Sequence, residues 1–170
     1  NNHLFGEFPQ EWSVWPGIYI VDVGYNNLSG NMPSSMGVPS SLHVLKMNDN
    51  NLGGTIPSSI WRNCTSLRSI DLGGNKFTGN MTLWIGSNAP GLYFIRLRSN
   101  LLSGHISDQL CNLPFLDILD LSHNNFSGSI PKCLKNMTSL VEGFSNATDY
   151  ESYIEQATLT LKGRELVYNK

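Results

Sequence analysis

The sequence LDILDLSHNNFSGSIP, residues 116–131, defines a repeat, because its pattern of apolar residues, asparagine and glycine recurs along the chain. The asparagine near its centre, Asn124, is the last of six that follow one another at intervals of 24 or 25 residues. A period of this length is typical of solenoids, in which each repeat packs only against its neighbours. We call these six residues the ladder asparagines: Asn2, Asn26, Asn50, Asn75, Asn100 and Asn124.

The residues upstream of each ladder asparagine predict a short strand. The positions three and five residues before it are apolar, and they alternate with outward positions as in a strand with one buried face. Stacked coils would place these strands side by side, about 4.8 Å apart, in a parallel sheet. The predicted strands are Ile20–Gly24, Val44–Asn48, Ser69–Gly73, Phe94–Arg98 and Ile118–Ser122.

The asparagine and glycine positions predict how each coil turns. Buried backbone polar groups must be paired, and an amide side chain can both donate and accept hydrogen bonds. We therefore expect each ladder asparagine to point inward and to bond its own turn and the next coil. A glycine four residues later permits a tight turn, and an apolar residue ten residues later predicts a short helical turn on the far side. The predicted fold is a β-solenoid with parallel strands on its concave face and short helical or 3-10 turns on its convex side.

Composition excludes several classes of partner. The net charge of −2 does not favour a nucleic acid or an anionic membrane surface. No apolar run reaches the roughly 18 residues that a membrane span requires. Because Asn1 already lies within a repeat, we expect the sequence to be an excerpt from a longer protein.

The titratable residues do not form a catalytic pattern. Asp71 and Asp120 would lie two coils apart, roughly 10 Å at strand spacing, with Arg96 between them. That separation is slightly beyond the carboxylate pairs of glycoside hydrolases. No phosphate loop, nucleophile elbow or zinc motif is present. We predict a protein that is not an enzyme and uses no metal or cofactor. The histidines occupy different repeat positions: His3, His43, His105 and His123.

Outward positions of the predicted strands give the candidate binding surface, because solenoids usually bind partners on the concave face. Arg96 and Arg98 lie on one predicted strand beside Phe94, and arginine and aromatic residues are frequent binding hot spots. Arg96 also lies between Asp71 and Asp120 on neighbouring strands, and we favour an ion-pair ladder as its role. Arg98 has no acidic neighbour in its own column and is the better ligand candidate. All candidates together are Arg98, Phe94, Arg96, Tyr25, Lys46, Asp71, Asp120 and His123.

Two of the three cysteines lie on adjacent coils. Cys111 and Cys133 are 22 residues apart. With coils about 4.8 Å apart and a two-residue offset, their Cα separation is close to the limit of about 7 Å for a disulfide. We favour a bond between them, and the alternative is two buried free thiols. Cys64 has no cysteine at a matching position and is expected to be buried and free.

The repeat unit Leu-x-x-Leu-x-Leu-x-x-Asn-x-Leu-x-Gly-x-Ile-Pro resembles the plant extracellular type of leucine-rich repeat, which residues 116–131 match almost letter for letter. The resemblance covers residues 1–140, with half a repeat at 1–17 and five complete repeats at 18–139. It implies a second, small sheet formed by the Gly-x-Ile-Pro segment of each coil.

The period ends after Leu140, and residues 141–170 resemble the start of the repeat-free island of plant receptor-like proteins. The motif residues Lys162, Gly163, Glu165 and Tyr168 carry this resemblance, and a linker or disordered tail is the alternative. The alternation of residues 157–161 is that of a strand. The disease-resistance class of these proteins implies an extracellular microbial or peptide ligand and a co-receptor kinase. It also implies a location at the extracellular face of the plasma membrane, in a parent protein with a single membrane span.

Six Asn-x-Ser/Thr sequons support a secreted glycoprotein, although the repeat consensus itself supplies two of them, at Asn27 and Asn125. The predicted glycosylation sites are Asn27, Asn63, Asn80, Asn125, Asn136 and Asn146.

Two other functions use the same repeat. A secreted inhibitor of a cell-wall-degrading enzyme, similar to polygalacturonase-inhibiting proteins, would lack the island, so the Lys162–Tyr168 motif argues against it. An ice-binding protein would need a regular exposed array of threonine or asparagine, and the outward strand columns are too mixed for that.

Overall fold

The computed structural model describes residues 2–81 and 89–137, together with the backbone of residues 157–161 and 164–168. The repeats stack as coils, with two parallel sheets enclosing one hydrophobic interior. The predicted solenoid is therefore confirmed.

The strands upstream of the ladder asparagines form a five-stranded parallel sheet, which we call the inner sheet. Each strand has three residues, whereas the sequence predicts five. Hydrogen bonds between coils continue past the strand, since the Val23 N–H donates to the Lys46 carbonyl at 2.9 Å. This pairing ends at the left-handed residue three positions past each strand, just before the ladder asparagine, which breaks the extended conformation. The strands are β2 (Ile20–Asp22), β4 (Val44–Lys46), β6 (Ser69–Asp71), β8 (Phe94–Arg96) and β10 (Ile118–Asp120).

The residues after the ladder asparagines form a six-stranded parallel sheet, which we call the outer sheet. The expected second sheet is present, but it is not small, since the outer sheet has more strands and most of them are longer. In the four central strands the pairing runs from just after the ladder asparagine to just past the glycine position, so these coils offer a longer segment for pairing. The strands are β1 (Phe5–Glu7), β3 (Asn27–Asn31), β5 (Asn51–Thr55), β7 (Lys76–Asn80), β9 (Leu101–His105) and β11 (Asn125–Ser127).

Short helical turns close the coils on the convex side, as predicted. Of the four turns that lie wholly within the described residues, a proline precedes three and Ser107 takes its place in the fourth. The Ser107 Oγ accepts a hydrogen bond from the Gln109 N–H at 3.2 Å and so caps that turn. The turns are the 3-10 helices Ser34–Gly37, Asp108–Asn112 and Lys132–Asn136, and the α-helix α1, Ser58–Asn63.

A β-hairpin follows the repeats. Its strands β12 (Ala157–Leu161) and β13 (Arg164–Tyr168) are antiparallel, with Leu159 opposite Leu166. The strand predicted at residues 157–161 is therefore confirmed. Glu165 and Tyr168 of the island motif lie on β13, whereas Lys162 and Gly163 fall outside the described residues, as does the sequon at Asn146.

The ladder asparagines bond the backbone of two coils. The Asn50 Oδ1 accepts from the Leu28 N–H at 2.9 Å, and the Asn75 Nδ2 donates to the carbonyls of Met47 at 2.9 Å and Leu72 at 3.1 Å. The predicted bonds to the asparagine's own turn are confirmed. The predicted direction of the second contact is wrong, because each amide reaches the preceding coil. The backbone groups left without strand partners at that corner belong to the preceding coil.

The interior is a continuous column of apolar side chains. At its start, the Phe8 and Trp12 rings stack with centroids 5.2 Å apart, and the Trp12 Nε1 donates to the Pro9 carbonyl at 2.8 Å. Farther along, Ile56 is 4% exposed, whereas Ile130, at the same repeat position in the last coil, is 71% exposed. Burial therefore falls toward residue 137.

The cysteines take the favoured arrangement. Cys111 and Cys133 form a disulfide with their Cα atoms 6.0 Å apart. Cys64 is free and buried, and burial raises the pKa of its thiol to about 11. Its Sγ lies 3.8 Å from the Met36 carbonyl oxygen. A buried thiol with a raised pKa stays protonated and unreactive at physiological pH.

The recurring glycine makes room for the preceding coil as well as permitting the turn. Gly104 has a φ of 86°, and a Cβ at this position would lie 2.7 Å from the side-chain amide of Asn80. By contrast, a Cβ at Gly53 would meet nothing closer than the Lys76 carbonyl oxygen at 3.6 Å. The two glycines therefore differ both in conformation and in available space.

The hydrogen bonds of Asn75 predict a large effect of its truncation. Asn75→Ala would leave the buried Leu52 N–H without its acceptor, and it would remove the donor at 2.9 Å from the Met47 carbonyl, which keeps only the Asn50 Nδ2 at 3.1 Å. We expect the free energy of unfolding to fall by about 3 kcal/mol, since each unsatisfied buried group costs about 1–3 kcal/mol. Urea unfolding of the two variants measures this, with the exposed ladder asparagine as the control in Asn2→Ala. Equal losses in both variants would contradict the role of the buried amide.

Gly104→Ala should destabilise the protein and Gly53→Ala should not. At Gly104 the new methyl group meets Asn80 and the backbone keeps a positive φ, which together predict a loss of about 1–3 kcal/mol. At Gly53 alanine is expected to be neutral, or stabilising by up to about 1 kcal/mol, because it restricts the unfolded chain. Thermal unfolding of the pair measures the difference, and similar midpoints would refute the steric argument.

Candidate functional site

A row of alternating charges crosses the inner sheet. Strand register places Asp22 beside Lys46, Lys46 beside Asp71, Asp71 beside Arg96 and Arg96 beside Asp120. Opposite charges on neighbouring strands attract, whereas like charges directly opposite one another destabilise a sheet. The row is therefore self-compensating along its length.

Arg96 makes its ion pairs within this row. Its Nη1 lies 3.3 Å from the Asp71 Oδ2 and its Nε lies 3.9 Å from the Asp120 Oδ2, with all three side chains largely buried. The Asp71 Oδ1 also accepts from the Gly73 N–H at 3.0 Å. Burial raises the pKa of the Asp71 carboxyl, and Arg96 partly offsets this rise. These contacts match the ion-pair role favoured for Arg96.

The expected aromatic and cationic cluster is not accessible. Phe94 is only 4% exposed and Arg98 only 9%, so neither offers a surface to a ligand. Arg98 also interacts within the chain and is not the free cation that its column suggested. The expectation fails because successive coils lie at strand spacing, and side chains from neighbouring coils cover one another. Phe94 and Arg98 are therefore too buried to contact a ligand.

The accessible side chains stand one residue before each ladder asparagine. We call these positions the rim row, and four of them hold non-glycine residues with φ between 52° and 55°. Such residues are uncommon, because a Cβ disfavours the left-handed region. All four are exposed, Tyr25 by 48%. The rim row is Tyr25, Asp49, Gly74, Ser99 and His123.

Sequence reasoning selected Tyr25 and His123 from the rim row but missed Asp49 and Ser99. The signal that would have identified them is their shared position directly before a ladder asparagine. That position lies three residues past the end of the strand, where the backbone turns left-handed, so its side chain leaves the packed inner sheet.

The glycines of the inner face do not leave open space. A Cβ at Gly24 would lie 2.5 Å from the Asn48 Oδ1, and one at Gly74 would overlap the Asp49 carboxylate. The Asn48 Nδ2 donates to the Asp49 Oδ2 at 2.8 Å. A side chain of a neighbouring coil thus covers each glycine, Asn48 of the following coil at Gly24 and Asp49 of the preceding coil at Gly74, and the Asp49 carboxylate is held in place.

The charges of the inner row alternate in sign, but those that a partner would meet at its exposed end are negative. Asp22 and Asp49 are exposed, as is the ring of Tyr25 beside them in the first coils. The cations of the row are less accessible, since Lys46 is half-buried and Arg96 is paired with Asp71. The accessible end of the inner face is therefore acidic and aromatic, and it suits a cationic group.

The described coils and hairpin strands show no metal or membrane site. Among them, no three His, Cys, Asp or Glu side chains are grouped to hold a metal ion. No helix in the same residues has the length and hydrophobicity of a membrane span. Five sequon asparagines are exposed: Asn27, Asn63, Asn80, Asn125 and Asn136.

Comparison with known sequences agrees with the repeat. Segments 41–63, 66–88 and 115–137 match the family described as Leucine Rich Repeat. Receptor-like protein 38 of Arabidopsis thaliana is 51% identical over 51 residues, which are 30% of this chain and 6% of that protein. The chain spans only 6–9% of the length of the curated relatives it matches.

Solved structures share the fold. The plant peptide hormone receptor RGFR1 in complex with RGF2 has a TM-score of 0.79 at 34% identity, covering 82% of this chain and 22% of that chain. The Arabidopsis receptor kinase HAESA in complex with the peptide hormone IDA and the co-receptor SERK1 has a TM-score of 0.63 at 27% identity. That match covers 80% of this chain and 26% of that chain. These likenesses confirm the resemblance to plant receptors with leucine-rich repeats.

The ion pairs of Arg96 predict a pH-dependent loss of stability. Arg96→Met keeps the aliphatic bulk but leaves Asp71 as a buried carboxylate without its cation. We expect a loss of about 2 kcal/mol at pH 7, between the values for exposed and buried ion pairs. Removing the cation should raise the pKa of Asp71 further, so the loss should shrink as the pH falls toward 4 and the carboxyl is protonated.

The control is the double variant Arg96→Met/Asp71→Asn, which should recover most of the stability because no buried carboxylate remains beside the missing cation. Urea unfolding at pH 7 and at pH 4 measures all three proteins. Equal losses in the single and double variants would contradict the pairing.

Proposed function

We propose that this leucine-rich-repeat chain, related to plant receptor-like proteins, is the ligand-recognition part of a plant cell-surface receptor. The rim row carries the proposal. Its side chains stand one per coil on a rigid scaffold and keep a left-handed backbone that is costly for every residue except glycine. A preorganised row of this kind loses little conformational freedom when an extended partner binds along it.

The ligand we propose is an extended peptide with a cationic group, of microbial or plant origin. Asp22 and Asp49 supply exposed carboxylates, and the exposed Tyr25 ring supplies a face for a cation. Ser99 and His123 extend the same row toward the later coils and offer hydrogen-bonding groups. The likeness to receptors bound to peptide hormones supports a peptide over other ligands.

We further propose a co-receptor kinase as a second partner, a role in defence signalling, and a location at the extracellular face of the plasma membrane. The complex of HAESA with its peptide and co-receptor supports the first of these. The exposed sequon asparagines support an extracellular, glycosylated chain.

A displayed library of random peptides tests the proposal. We expect panning against the whole chain to enrich peptides that contain lysine or arginine. Tyr25→Ala or Asp49→Ala should weaken an enriched peptide about tenfold, which corresponds to about 1.4 kcal/mol. Thr78→Ala, an exposed change on the outer sheet, is the control and should leave binding unchanged.

Calorimetric titration measures the affinities, and thermal midpoints confirm that the variants remain folded. If the library enriches no peptides, or if the Thr78 variant loses as much affinity as the rim variants, the rim row is not the recognition surface.

A further inference from the structure

Asn48 is a buried amide that bonds a side chain of the rim row rather than the backbone. It is 3% exposed, and its Nδ2 donates to the Asp49 Oδ2 at 2.8 Å. Within the described coils, this amide makes no hydrogen bond to a backbone group, whereas the amide of Asn50 bonds the carbonyls of Met47 and Asn48. The side chain of Asn48 therefore serves the Asp49 carboxylate rather than the turn.

The orientation of the Asn48 amide follows from its two neighbours. An ionised carboxylate accepts hydrogen bonds but cannot donate them, so the atom that faces Asp49 must be the Nδ2. The Oδ1 then faces Gly24 of the preceding coil, where a Cβ would lie only 2.5 Å away. Glycine at position 24 leaves the space that this amide occupies, and a larger residue there would turn the amide away from Asp49.

The second oxygen of the Asp49 carboxylate lies over the following coil. Gly74 has a φ of 62°, and a Cβ on it would overlap the Asp49 Oδ1. A side chain at position 74 would thus displace the carboxylate that Asn48 holds. Among the described residues no group donates to the Oδ1 of this exposed aspartate, so the Oδ1 is the acceptor open to a partner.

The Tyr25 ring stands beside this carboxylate in the rim row, on the preceding coil. Backbone pairing fixes the two neighbours, because the Tyr25 N–H donates to the Asn48 carbonyl at 2.8 Å and the Asn26 N–H donates to the Asp49 carbonyl at 3.1 Å. A cation that reaches the Asp49 Oδ1 can therefore also meet the face of an exposed aromatic ring.

One open oxygen favours an ammonium group over a guanidinium group. The planar fork of an arginine forms its strongest pair by donating to both oxygens of a carboxylate. At Asp49 the Oδ2 is already held by Asn48, so the second bond of the fork has to compete with the amide. A lysine ammonium is a compact charge that needs a single acceptor. The Tyr25 ring favours either cation, so the carboxylate decides between them.

We infer that Asn48 is a positioning residue that makes the rim row select lysine over arginine in a bound peptide, an inference that rests on the proposed function. Asn48 does not touch the peptide. It fixes Asp49 as an acceptor with one open oxygen beside Tyr25, and Gly24 and Gly74 leave the space in which the amide and the carboxylate lie. The recognition surface thus takes a primary ammonium group rather than cations in general.

Peptides that differ in one residue test the inference. The displayed library encodes lysine and arginine equally, and an enriched peptide with a single lysine is synthesised with lysine, arginine or norleucine at that position. All three are acetylated, so that no terminal ammonium group remains. Calorimetric titration of the parent chain should give the lysine form an affinity about tenfold above that of the arginine form, and the norleucine form should be weaker than both.

Asn48→Ala should abolish this selectivity. The variant releases the Asp49 Oδ2 for the second bond of the arginine fork, so the two affinities should come within about twofold of each other. A loss of stability alone would lower both affinities and keep their ratio. The ratio therefore separates a positioning role from a merely structural one.

Ser122→Ala is the matched control for Asn48→Ala. Ser122 has the same place in its repeat, two residues before a ladder asparagine, and its Oγ donates to the Asp120 Oδ1 at 2.6 Å rather than to a rim residue. This variant should leave the ratio of the lysine and arginine affinities unchanged.

Two glycine variants test the same carboxylate without changing Asn48. Gly74→Ala and Gly6→Ala both place alanine at a positive φ, but a Cβ at Gly6 meets nothing within 4 Å. Gly74→Ala should weaken the lysine peptide about tenfold, because the new methyl group displaces the Asp49 carboxylate, and Gly6→Ala should not. Thermal midpoints show which variants remain folded.

Equal affinities of the parent chain for the lysine and arginine forms, an unchanged ratio in Asn48→Ala, or loss of binding on acetylation would each overturn the inference. Asp49→Ala would still weaken a cationic peptide in those cases if the proposed function is right. Binding that depends on neither Tyr25 nor Asp49 would instead remove the proposed recognition surface itself.

Discussion

The buried asparagine amide is the interaction on which the solenoid depends. An inner coil such as that of Asn75 bonds the preceding coil through Leu52 and Met47 and its own turn through Leu72. No apolar side chain can satisfy these donors and acceptors together. The amide must return to the same corner in every coil, so the circumference of the coil sets the interval of 24 or 25 residues. A shift of one residue within a coil would remove the amide from its partners and leave buried groups unpaired.

The same corner produces the surface that we propose for recognition. The residue before each asparagine turns left-handed so that the amide can enter the interior, and this turn carries its own side chain out of the sheet. Glycine is the least strained residue in this conformation, and one coil has glycine there, at Gly74. Tyr25 and Ser99 keep a side chain there although the conformation costs about 1–2 kcal/mol for a non-glycine residue. Residues that persist in such a conformation motivate a functional hypothesis, and all four in this row are exposed.

The elements that depend on spacing along the chain were predictable from sequence. The period, the inner strands and the convex turns follow from positions repeated from coil to coil, and the favoured pairing of Cys111 with Cys133 follows from their place on adjacent coils. The burial of Phe94 and Arg98 was not predictable, because it depends on how side chains from neighbouring coils cover one another. Outward alternation places a residue on a face but does not say how deep it lies. The exposure of Asp49 was missed for the same reason, since its sequence neighbours Asn48 and Asn50 are buried and it is not.

The alternating charges of the inner sheet support the proposal that recognition occurs at its margin rather than at its centre. Coils at strand spacing bring side chains of one column close together, and a column of like charges would repel at every step. Alternation of Asp71, Arg96 and Asp120 removes that repulsion. It also makes these charges less available to a ligand, because each one already has a partner. A ligand gains little by replacing an ion pair that is largely buried and satisfied. The exposed side chains next to this column are those of the rim row, which the fold places beyond the end of each inner strand. The charge compensation that stabilises the centre of the sheet is therefore consistent with the rim row as the proposed recognition surface.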